Sequence, residues 1–155
     1  LYKYHTFNWL ENEETHEGNK GPEWLIDNTQ TTIRTSVENK MSQYGFKICT
    51  ENPDLMLHYH VVIENKVYYI RDRYCETQGN FQFGRCNRLK ATHYQEGTLI
   101  VDFIDTESNT QVWRGVAVGV LENMRPAEVD ERIKKAVEAI FKKFPEERLP
   151  NRAIL

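Results

Sequence analysis

Gly97-Thr-Leu-Ile-Val-Asp-Phe-Ile-Asp-Thr-Glu-Ser-Asn-Thr-Gln-Val-Trp-Arg-Gly-Val-Ala-Val-Gly119 is the stretch whose reading decides the fold. Two runs rich in β-branched and aromatic residues flank Thr106, Glu107, Ser108, Asn109 and Thr110. Such residue types favour a tight polar turn, and the pattern predicts a β-hairpin. Successive side chains on a strand point to opposite faces. Leu99, Val101 and Phe103 therefore share one face with Trp113, Gly115 and Ala117, and Ile100, Asp102, Ile104, Val112, Arg114 and Val116 share the other. Closing the turn with Ile104 opposite Val112 sets Asp102 opposite Arg114, an opposite-charge pair that helps fix the register.

Downstream of the hairpin, Arg125-Pro126 precedes a helical stripe of Val129, Ile133, Ala136, Val137, Ile140, Phe141 and Phe144, and Pro145 stops it. Upstream, Ile26, Ile33, Val37, Met41 and Tyr44 recur at helical spacing before Gly45, a natural helix end. Tyr4 to Leu10 and Phe46 to Cys49 read as short strands. The longest β run starts at Asp54, with Leu55, Leu57, Tyr59, Val61 and Ile63 on one face and Met56, His58, His60 and Val62 on the other. Asn65-Lys66 reads as a turn or bulge before Val67-Tyr68-Tyr69-Ile70. The order strand, helix, several strands, helix predicts an α+β fold: a two-layer domain with a largely antiparallel sheet of about five strands and two helices on one face. One domain is expected over residues 1–145, with an irregular excursion over 71–94 from which Leu89 to Tyr94 returns as a strand, and a polar tail over 146–155.

A chain of 155 residues buries a real core without metal or many disulfides. Its net charge of −3 and the lack of a basic stripe argue against nucleic acid as partner. No apolar run is long enough to cross a bilayer. Leu1 leads at once into Tyr2-Lys3-Tyr4, so the reading expects a mature or trimmed chain without a signal peptide. Of the three cysteines, Cys75 and Cys86 lie in one polar, glycine-containing stretch. A bridge between them suits an oxidising compartment, three free thiols suit a reducing one, and the spacing does not choose.

His58-x-His60 sets two imidazoles on one strand face, a spacing that chelates Zn²⁺ or Cu²⁺ when a third ligand joins. His5, His93 and Asp102 are candidates for that third ligand, and the spacing places none of them, so surface or structural histidines are the plainer reading. Asp102, Asp105 and Arg114 carry the residue types of an acid–base cluster, but no nucleophile or phosphate-binding glycine loop accompanies them. A register-setting ion pair and a turn-capping aspartate account for them more simply, with Trp113 in the core. No catalytic motif and no cofactor motif stands out. The face away from the helices keeps Ile100, Ile104, Val112 and Val116 around a single ion pair. Either the excursion folds over it, with Phe81 and Phe83 as packing residues, or a partner covers it.

Thr6-Phe7-Asn8-Trp9, Gly45-Phe46, Pro53-Asp54-Leu55, Gly97 to Asp102, Asp105, Val112-Trp113-Arg114-Gly115 with Ala117, and the ending Ile133 to Pro145 carry a resemblance. The chain resembles a family of bacterial lipoproteins called domain of unknown function 4136, over nearly all of its length except 71–94. The resemblance implies a lipid-anchored domain of the cell envelope, facing the periplasm or cell surface and exported through a lipobox cysteine outside this sequence. It implies no known activity. An exported setting favours the Cys75–Cys86 bridge. The expected role is a non-enzymatic binding or assembly module that meets another envelope protein, a glycan or itself through the open sheet face or the excursion. The alternative is a metal-binding protein or small hydrolase-like enzyme using His58, His60 and Asp102.

Overall fold

The computed structural model describes residues 1–11, 16–18, 23–76, 83–121 and 125–145, with backbone alone at 16–18, 23–28, 72–76 and 83–87. The elements in chain order are β1 (Thr6–Trp9), β2 (His16–Gly18), α1 (Glu23–Gln43), β3 (Lys47–Ile48), β4 (Leu55–Glu76), β5 (Phe83–Asp105), β6 (Thr110–Val120) and α2 (Pro126–Phe141). The fold is α+β, with a mixed, mostly antiparallel sheet and two helices. The main strand order is β3-β1-β4-β5-β6, and β2 pairs β4 parallel beyond the end of β1. The pairs β4–β5 and β5–β6 are antiparallel, while β1 is parallel to both β3 and β4.

The core follows the alternation. Leu55, Leu57, Leu99, Val101 and Phe103 are buried beneath Ile33, Val37 and Met41 of α1 and Val137, Ile140 and Phe141 of α2. Phe103 and Trp113 meet as tilted rings with centroids 4.8 Å apart, and Phe144 closes edge-on to Trp113 at 5.1 Å. The helices meet through Thr32, whose hydroxyl donates to Asp130 at 2.7 Å. Gly45 ends α1 with φ +83°, a conformation that glycine adopts freely. The amide of Phe46 donates to the Met41 carbonyl and that of Gly45 to the Ser42 carbonyl, so the last turn keeps its acceptors satisfied. Pro126 opens α2, and the Glu128 carboxylate reaches back to accept from the Arg125 amide at 3.3 Å.

Three expectations from the sequence need correction. The excursion over 71–94 is not irregular where it is described: β4 continues to Glu76 and β5 begins at Phe83, paired from Tyr69–Ala91 to Glu76–Phe83 with one register shift near Asp72. Asn65 and Lys66 likewise make no turn, because they pair with Gln95 and Tyr94 inside the same ladder. Among the described residues, the β4–β5 pair has no further partner strand beyond Ile63 on the β2 side or beyond Glu96 on the β6 side. It forms a two-stranded ribbon held by backbone bonds, so its side chains show no apolar alternation to read. The third correction lies in the hairpin. The register shifts between Phe103 and Ile104, and Ile104 pairs with Gln111 rather than Val112. Val112 is the extra residue of a bulge and packs against the core instead of joining the open face. The tail over 146–155, Phe81, the side chain of Phe83 and the bridge expected between Cys75 and Cys86 lie outside the described residues.

Candidate functional site

The face of the sheet away from the helices carries Met56, His58, His60 and Val62 from β4, Thr98, Ile100, Asp102 and Ile104 from β5, and Arg114, Val116, Val118 and Val120 from β6. None of the described part of 71–94 folds over this face, because those residues are spent on the ribbon. Val116, Val118 and Val120 stand in a row, 37%, 60% and 45% exposed. Ile100, opposite Val116, is half-buried beside them, and Ile104, also half-buried, lies on the far side of the Asp102–Arg114 pair.

At the centre sits a charged cluster. Asp102 pairs across the strands with both His58 and Arg114. Arg114 grips its carboxylate with two bonds, Nε to Oδ1 at 2.6 Å and Nη2 to Oδ2 at 2.9 Å. The Asp102 side chain is only 6% exposed, whereas that of Arg114 is 48% exposed. The carboxylate raises the pKa of Arg114 through that hydrogen bond and its charge. His60 Nε2 lies 3.9 Å from Asp102 Oδ2. The His58 and His60 rings meet edge to face with centroids 4.1 Å apart. Burial pushes the His58 pKa down, His60 pushes it the same way, and Asp102 pulls it up more weakly, so neutral imidazole is favoured there. Arg114→Ala removes a bidentate partner from a carboxylate that water hardly reaches, yet Arg114 itself is half in solvent. The expected loss is about 1–2 kcal/mol, read by chemical denaturation, above the range of a fully exposed pair.

The structure thus brings His58, His60 and Asp102 together and leaves the other candidate ligands elsewhere. His93 pairs with Val67 out on the ribbon, and His5 precedes β1. Asp105 belongs to a different end of the sheet. Its Oδ1 accepts from the amides of Glu107 and Ser108 at 2.9 and 3.0 Å, and its Oδ2 accepts from the Tyr4 hydroxyl at 2.5 Å. Trp113 faces the helices, among Phe103, Phe141 and Phe144. Asp54, which the sequence reading takes only as a strand opener, clasps β1: its Oδ2 accepts from the amides of His5 and Thr6 at 2.7 and 2.9 Å. An Asn-Pro-Asp run before a strand signals a side chain free to bond neighbouring backbone, but not which strand it meets.

Two other surfaces stand out. On the ribbon, Val67, Tyr68, Tyr69, Ile70 and Leu89 are exposed, Tyr69 by 68% and Leu89 by 62%. On the helix side, an apolar cavity of about 550 Å³ is lined by Ile33, Val61, Leu99, Val129, Ile133 and Ala136 among others.

The sequence model described as Domain of unknown function (DUF4136) matches residues 1–146. No curated protein matches the chain. Among solved structures, a PDZ domain protein from Parabacteroides distasonis is similar with a TM-score of 0.58 at 14% identity, over 92% of this chain and 32% of that one. This chain therefore spans about a third of that protein's length, and the likeness shows the fold alone. A neuraminyllactose-binding hemagglutinin homologue from Helicobacter pylori aligns with a TM-score of 0.43 at 16% identity, over 94% of this chain and 86% of that one. The PelC dodecamer from Paraburkholderia phytofirmans aligns with a TM-score of 0.39 at 11% identity, over 88% and 86%.

Proposed function

For this chain, which belongs to the family described as domain of unknown function 4136, we propose a non-enzymatic role as a binding or assembly module of the cell envelope. The module is lipid-anchored through a cysteine outside this sequence, faces the periplasm or cell surface, and meets a protein partner through its open sheet face. The observation that carries this reading is the row Val116, Val118 and Val120, with Ile100 opposite Val116, apolar and uncovered among the described residues. A face that meets only water usually turns polar on alternate positions. Contiguous apolar surface of this kind marks contact sites. The flat aliphatic row suits a protein surface better than a glycan, which is bound through aromatic platforms and polar groups. The exposed Val67, Tyr68, Tyr69, Ile70 and Leu89 extend the contact along the ribbon. A two-stranded ribbon is marginal alone and gains from a partner laid against it. No helix among the described residues is long and apolar enough to cross a membrane.

The double variant Val116→Lys/Val118→Lys tests the proposal. Both residues are exposed, so the variant is expected to fold with stability within about 0.5 kcal/mol of the parent. It is expected to lose self-association by light scattering, or co-purification with its partner from solubilised envelopes. A folded monomer without partner in both forms overturns the reading.

A further inference from the structure

We propose that His58, His60 and Asp102 form a binding site for one late first-row divalent cation, zinc or copper, at the centre of the open sheet face. One ligand atom from each of the three lies within 4.8 Å of the others. Zinc with bonds of about 2.0–2.2 Å holds its ligands roughly 3–3.5 Å apart. His60 Nε2 and Asp102 Oδ2 are already 3.9 Å apart, so small rotations about side-chain bonds close the set. The backbone supplies the rest of the geometry. His58 and His60 project from the same face of β4 by the period of two, and Asp102 is the cross-strand partner of His58.

The donor set has a definite chemical preference. Two imidazoles with one carboxylate suit zinc, copper or iron, whereas calcium and magnesium favour oxygen donors. Three protein ligands leave at least one position open, and here the open side is the side of the sheet without helices. Arg114 occupies the place of a positioning residue. Its Nε bond to Oδ1 fixes the carboxylate plane, and Oδ2 is the oxygen on the His60 side. Carboxylates that bind metals are commonly held by such an outer partner. Moving Oδ2 onto the cation gives up the Nη2 bond, and the half-exposed guanidinium can return that donor to water.

This site does not depend on the valine row, and the two ideas fail separately: the lysine variants read partner binding, and zinc reads the histidines. The test is a titration of metal-free protein with zinc chloride by calorimetry, followed in parallel by imidazole proton resonances. One zinc per chain is expected, with the His58 and His60 resonances shifted and those of His5 and His93 in place. His58→Ala and His60→Ala are each expected to weaken binding at least about tenfold, and His93→Ala to leave it unchanged. Should the alanine variants fail to fold, the resonance shifts of the unaltered protein decide. No saturable one-to-one binding, or binding that shifts His5 or His93 and spares His58 and His60, overturns the site.

Discussion

Gly115→Val is expected to destabilise the chain by about 3 kcal/mol or more, and Gly115→Ala by about 1–3 kcal/mol, each read as a lower denaturant midpoint. The reason is close approach. A Cβ at 115 would lie 2.3 Å from Cγ2 of Ile140 and 2.6 Å from the ring of Trp113. Neither neighbour yields easily. Ile140 is fully buried and β-branched, with little rotamer freedom in a helix. The Trp113 ring is held by Phe103, Phe141 and Phe144, at 4.8, 5.9 and 5.1 Å between centroids. The remaining outlet is for α2 to lift off the sheet, which loosens every contact of Val137, Ile140 and Phe141 with the core. An unchanged midpoint for Gly115→Ala would mean that the helix moves freely and that this packing account is wrong. The run Trp113-Arg114-Gly115 thereby gains a physical meaning. Trp113 fills the core, Arg114 turns outward to hold Asp102, and Gly115 leaves room for Ile140.

Asp105 is expected to dominate the acid sensitivity of the fold. It is a buried carboxylate with four partners: the Tyr4 hydroxyl, the amides of Glu107 and Ser108, and Lys3 at 3.1 Å. The Tyr4 bond is the largest of the influences that hold its pKa far below the ordinary carboxylate range, followed by the Ser108 amide and Lys3. Asp54 is shifted the same way, first by the His5 amide and then by that of Thr6. A carboxyl whose folded pKa is depressed contributes stability that is fully present above its unfolded pKa of about 3.9 and is lost as pH falls toward the folded value. The unaltered chain is thus expected to lose a little of its melting temperature below about pH 6.5, where the unfolded chain protonates His58 more readily than the folded one, and to lose it steeply below about pH 4. Asp105→Asn keeps the shape but cannot be a carboxylate. It is expected to melt clearly lower at pH 7 and to show a much shallower fall between about pH 4 and pH 2. Parallel melting curves for the two proteins across that range would contradict the assignment. Asp105→Ala should be worse than Asp105→Asn at pH 7, since it leaves the Tyr4 hydroxyl and two amides without their acceptor.

The layout of the hairpin was legible because one face of it is buried. Leu99, Val101 and Phe103 alternate with Ile100, Asp102 and Ile104, and such alternation sets which residues meet the helices before any coordinate is known. The helices were legible for the same reason, from the stripes ending at Gly45 and Phe144, as was the pairing of Asp102 with Arg114 by charge. The bulge at Val112 was not, because an extra residue shifts pairing without changing composition, and the demands of both flanking faces select it. Nor was the ribbon. Past Ile63 and Gly97 the strands leave the helix layer, burial no longer dictates alternation, and charges with glycines read as a loop. The candidate metal set shows the division most sharply. His58 and His60 are two apart in sequence, so their shared face follows from strand geometry alone. Asp102 is distant in sequence, and only the antiparallel register of β4 on β5 brings it opposite His58. That register arises from the burial of the opposite face, where Leu57 lies against Phe103 and Tyr59 against Val101. The core under the helices therefore decides which charged groups meet on the side that the helices leave open.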